Sequence, residues 1–92
     1  MLHIVRDSPL SATRLEECLQ LALADDHLLL IQDGVIASSL PAYVSRFEQR
    51  GLHVSILAED LLARGLTPKV GQVIDIGGFV DLVAETGSPL RW

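Results

Sequence analysis

Few side chains in this protein offer reactive chemistry, and the most reactive, Cys18, is its single cysteine. It lies in the stretch LEECLQLALA, Leu15–Ala24. A thiol attacks or accepts sulfur as its thiolate, which helix N-termini and neighbouring cations stabilise. Cys18 instead falls in mid-helix beside Glu16 and Glu17, whose charges raise a thiol pKa, with Arg14 as the one local cation to oppose them. On the helical wheel it stands about 60° from Leu15, at the margin of the apolar face, so half exposure is expected. The residue reads as a small packing side chain at a helix seam, because free cysteine is among the most buried residue types. The competing assignment is a sulfur-accepting thiol.

Three histidines, His3, His27 and His53, raise the question of a metal, which needs ligands that converge. His27 and His53 precede or begin strand-like runs. That places them at the edge opposite the functional loops, out of reach of His3 and of each other, and no metal site is expected. Asp33 followed by Gly34 is either a catalytic carboxylate or a turn ending a strand, and turn chemistry favours the second. Gly77 and Gly78 lack the spacing that cradles a pyrophosphate, so no nucleotide cofactor is expected. Beyond the Cys18 candidate, no catalytic residue is expected.

These residues must be positioned by apolar strand-like runs that alternate with helix-like patterns, the signature of an α/β fold. The expected architecture is a small three-layer sandwich, a mainly parallel sheet of four or five strands flanked by helices. Leu2–Val5 is the first strand. Thr13 with Glu16 three residues on gives a capping-box pattern for a helix whose apolar face carries Ala12, Leu15, Leu19, Ala22 and Leu23, ended by Asp25 and Asp26. Leu28–Ile31 reads as a central strand buried on both faces, stopped by Gln32, Asp33 and Gly34. Pro41 opens a second helix to Arg50, with Tyr43, Val44 and Phe47 as its stripe and Gly51 at its end. His53–Leu57 is the third strand. Glu59 and Asp60 favour the start of a short helix that Gly65 closes, and Val73–Ile76 is the fourth strand. Phe79, Val80 and Val83 share one side of a last helix, before Gly87, Ser88 and Pro89 lead to Trp92. Loops at the carboxyl ends of parallel strands carry function, which ranks Ser8 and Asp33 first by position.

A chain of 92 residues is expected to form one domain, 1–92, with one small core. Yet 49% of its residues are hydrophobic and its mean hydropathy is +0.37, more apolar surface than a domain of this size readily hides. Some of it is expected to face a partner. No apolar run approaches a membrane span, and MLHIVRDS lacks the regions of a signal peptide, so a cytoplasmic protein without a membrane association is expected. The net charge is −5, and its seven Lys and Arg are scattered singly, which argues against direct nucleic-acid binding.

The segments MLHIVRDSP, LEECLQLA, LLLIQDGV, LAEDLLARGL and VIDIGGFVDLV, in this order and followed by Trp92, resemble the DsrH-type subunits of the DsrE/DsrF/DsrH sulfur-relay, or sulfurtransferase, family. The resemblance spans essentially the whole chain. It implies a small α/β subunit that joins TusC-like and TusD-like subunits in a heterohexamer, a dimer of trimers. In the family the persulfide-carrying cysteine sits in a loop after a strand of the TusD-type subunit, and this chain has no cysteine in such a loop. The relay takes persulfide sulfur from a cysteine desulfurase by way of a carrier and passes it, through a further carrier, toward 2-thiolation of the tRNA wobble uridine. A structural, non-catalytic subunit is therefore implied. Cys18 matches a cysteine of DsrH-type sequences from sulfur oxidisers, so two alternatives stand beside this reading: a sulfur-oxidation relay, and a persulfide carrier acting through Cys18. Candidate regions to meet partners are the loop after Leu28–Ile31, the Tyr43 and Phe47 helix, and the tail carrying Trp92.

Overall fold

In a computed structural model, which describes all of residues 1–92, the apolar runs pair into one five-stranded, all-parallel sheet. Its strands are β1 (Leu2–Val5), β2 (His27–Leu30), β3 (His53–Leu57), β4 (Gln72–Ile74) and β5 (Leu90–Arg91), in the order β4-β3-β2-β1-β5. Leu2 pairs with His27, His27 with His53, Ser55 with Gln72, and His3 with Leu90. The central strands are buried along almost their whole length because both of their faces are covered. The fourth strand occupies Gln72–Ile74 rather than Val73–Ile76, since Ile76 already belongs to the following helix. The two-residue strand β5 gave no periodic signal; it exists because Leu90 and Arg91 complete the free edge of β1.

Four helices, α1 (Arg14–Leu21), α2 (Pro41–Gln49), α3 (Ala58–Arg64) and α4 (Ile76–Thr86), and a 3₁₀ segment, Gln32–Ser39, connect the strands. The path from β1 to β4 steps across the sheet in one direction, and the step to β5 returns past β1. With right-handed crossovers this reversal puts α4 on the opposite face from the other helices. The packing agrees. Val5, Leu28, Leu30, Val54 and Ile56 meet Leu15, Cys18, Leu19, Val35, Phe47 and Leu61 in the larger core. Leu2, Ile4 and Leu29 point the other way, toward Phe79, Leu82 and Val83 of α4. No residue of α4 is itself buried, so this second layer is thin.

Local chemistry explains the helix ends. Asp75, in extended conformation, accepts a hydrogen bond from Gly78 N at 2.8 Å and caps α4. Pro41 stands at the start of α2, where a missing N–H costs nothing, and Gly65 ends α3 at φ 62°, in the left-handed region. The expected capping box does not form. Thr13 has φ −97° and ψ 6° instead of extended geometry, and its hydroxyl donates weakly to Glu17 at 3.4 Å. Helix α1 ends at Leu21, ahead of Asp25 and Asp26, and Leu23 is 71% exposed rather than part of the apolar face. Ala12 precedes the helix. The guanidinium of Arg50 donates to the carbonyls of Leu19 and Ala22, satisfying acceptors that the helix end leaves open.

Candidate functional site

Cys18 is wholly buried. The half exposure expected from the helical wheel is overturned because a wheel counts only the residue's own helix. Helix α2 lies alongside α1, tied to it by Tyr43 and Arg46, which both donate to Glu16, so the margin of the apolar face meets Phe47 rather than water. The thiol is pushed up to about 12, first by burial, then by the charge of Asp26, with Arg50 acting in the opposite direction. The neighbours named from the sequence are not its perturbers. Glu16 is neutralised by the two-pronged contact with Arg46, at 2.6 and 2.9 Å, which holds its carboxyl below the usual range. Arg14 reaches Glu17 at 3.7 Å instead.

The histidines are arranged differently from the expectation. His27 and His53, on adjacent strands, face each other with ring centroids 5.1 Å apart. Side-chain alternation turns them toward the α4 face, while His3 points into the other layer. Burial and the nearby charge of His53 lower the pKa of His27. His3 is buried in a chain of three side chains that crosses the sheet edge. The indole Nε1–H of Trp92 donates to His3 Nδ1 at 3.2 Å, and an indole can only donate. The imidazole proton of the neutral ring therefore sits on Nε2, which donates to Asp26 Oδ2 at 2.9 Å. Asp26 also accepts from Leu23 N, and these bonds hold its carboxyl at about 2.

At the carboxyl edge, Asp33 and Asp60 are both held by Arg64, at 2.9 and 3.6 Å, and Asp60 accepts from Gln32 N. Asp33 is thus an ion-pair partner in a loop rather than a free carboxylate. Gly34 explains the loop's path: a Cβ there would stand 2.3 Å from the carbonyl oxygen of Val5, so only glycine lets the chain pass so close to the end of β1. Ser8 closes a turn, its Oγ accepting from Leu10 N. Gly77 and Gly78 lie in the first turn of α4, wrapped around the Asp75 cap.

A family profile described as "DsrH like protein" matches residues 7–88. The chain belongs to the DsrH-like family. Among curated relatives, Protein TusB of Escherichia coli K12 and Protein TusB of the O1:K1 and SMS-3-5 strains are each 36% identical over 96 aligned positions, covering all of both chains. Within this family member the interface candidates named from sequence resolve unevenly. Phe47 is fully buried in the core, because α2 turns that side inward against β2 and β3. Tyr43 is engaged by Glu16, and Trp92 by His3. The loop after β2 buries Gly34, Val35, Ala37 and Ser38. Exposed apolar side chains stand elsewhere: Leu21 and Leu23 after the buried face of α1, Leu62 on α3, and Val73, Ile76 and Val80 around β4 and α4. No helix is long and apolar enough to cross a membrane.

Proposed function

We propose that this chain, as one unit over residues 1–92, is a structural subunit of a cytoplasmic sulfur relay. It assembles with TusC-like and TusD-like subunits in a heterohexamer that passes persulfide sulfur toward the tRNA wobble uridine. Family membership and full-length similarity to TusB proteins support the place in a sulfur relay. The observation that carries the non-catalytic role is the state of Cys18. A thiol with a pKa of about 12, wholly buried, has a thiolate fraction of roughly 10⁻⁵ at pH 7 and no access for a persulfide donor. Transfer then falls to a partner's cysteine, and this chain supplies apolar contact surface.

Two measurements test the proposal. Co-expression with TusC-like and TusD-like chains is expected to give one assembly whose mass in solution corresponds to two copies of each. Incubation with a cysteine desulfurase and cysteine is expected to leave Cys18 without a persulfide adduct, and Cys18→Ala is expected to support full transfer in the assembly. A gain of about 32 Da on Cys18, the mass of one sulfur, with transfer lost in Cys18→Ala, sinks the structural role in favour of a carrier.

A further inference from the structure

Of the six arginines, four are committed. Arg14 and Arg46 pair with Glu17 and Glu16, Arg50 donates to the end of α1, and Arg64 holds Asp33 and Asp60. The remaining two, Arg6 and Arg91, have no ion-pair partner, and both line one cavity of about 100 Å³. Its other walls are Ile4, Ile31, Gln32 and Trp92. The register explains the convergence. Arg91 pairs with Ile4, and Arg6 lies two residues beyond Ile4, so alternation sends both guanidinium groups to the same side of neighbouring strands. Asp33 and Asp60, beyond Gln32, are drawn toward Arg64, and Asp7, which follows Arg6 in the chain, makes no ion pair with either arginine.

The cavity lies at the carboxyl ends of β1 and β2 beside β5, where the strand order reverses, the place at which open parallel sheets bind ligands. Gln32 is held there at φ 49°, a conformation rare for residues other than glycine and concentrated at functional sites. Two guanidinium groups without an ion-pair partner in a chain of net charge −5 offer a local positive field against the overall sign. Their planar, donor-rich geometry matches oxyanions. The volume admits one tetrahedral anion with a water or two, at about 30 Å³ per water, and falls short of the roughly 300 Å³ at which organic-ligand pockets begin.

We propose that Arg6 and Arg91 form a binding site for a small free oxyanion of the sulfate or phosphate class. The site is independent of the relay assignment. The only tryptophan, Trp92, contributes to its wall, with its indole turned to His3 in the other layer, so that it senses the site from beside it. Titrating the full chain with sodium sulfate is expected to change Trp92 fluorescence saturably with a Kd of about 1 mM or tighter, unlike sodium chloride at equal ionic strength. In ¹H–¹⁵N spectra the same titration is expected to move the Trp92 indole and Gln32 amide signals, which locates the site without any substitution. Arg6→Gln and Arg91→Gln, each with an unchanged circular dichroism spectrum, are expected to weaken binding at least about tenfold, and Arg14→Gln to leave it intact. Adenosine monophosphate is expected to bind no tighter than phosphate. Non-saturating or chloride-like shifts, binding that survives either glutamine variant, or tighter binding of the nucleotide overturns the proposal.

Discussion

Asp26 serves several partners with one carboxylate: the buried imidazole of His3, the backbone N–H of Leu23 and the ammonium group of Met1 at 3.3 Å. Its value of about 2 lies below the ordinary 3.8, so the ionised form is favoured by folding. The stabilisation is therefore fully present above about pH 4 and lost as the pH falls through 2. A difference of nearly two units corresponds to about 2 kcal/mol for a side chain that is 13% exposed. Urea unfolding at pH 7 is expected to show Asp26→Asn destabilised by about that amount, with the gap closing toward pH 2. An undiminished gap at pH 2 refutes the ionic origin. Neither this role nor the depth of Cys18 was readable from the sequence, because the decisive neighbours, His3, Arg50 and Phe47, come from other elements of the chain.

Among the elements, α4 and β5 differ from the rest. The larger core fixes β1, β2 and β3 between buried side chains, whereas α4 contributes no buried residue and β5 pairs at two positions. Amide exchange is expected to rank accordingly, fastest in β5 and α4 and slowest in β1–β3, because local opening exposes little apolar surface where little is buried. Uniform protection across all five strands contradicts this. The cap matters in proportion. Asp75→Ala removes the only side chain that satisfies the first turn of α4, and a loss of about 1 kcal/mol in equilibrium unfolding is expected. The sequence pointed to Thr13 as a capping residue, and the structure placed one at Asp75. Both are side chains that can cap, and only backbone geometry separates them.

For the whole molecule, the surplus of apolar residues has a definite location. Although 49% of residues are hydrophobic, only 21 of 92 residues are buried. Ile76 and Val80, exposed at 49 and 59%, lie on the thin α4 side, which a second protein surface would complete, while Val73, 47% exposed, stands on the opposite face of the edge strand β4. Val80→Asp is expected to leave the thermal midpoint within about 2 °C while reducing recovery of the assembly in co-expression several-fold, since an exposed substitution costs little in the isolated chain. Assembly unaffected by Val80→Asp moves the interface to the Leu21 and Leu23 surface or to α3.

The sequence by itself determined the fold class and the order of the first four strands and of the four helices, because periodicity, turn residues and composition are local properties, and its ordered motifs pointed to the family. Tertiary structure alone decided how deep Cys18 lies, how far apart the histidines stand, which carboxylates are spoken for and which arginines are not. Those outcomes depend on side chains brought together by parallel pairing and crossover, such as His3 with Trp92 or Ile4 with Arg91, from opposite ends of the chain. Parallel strands never pair through a tight turn, so their neighbours are remote in sequence and leave no short-range pattern to read.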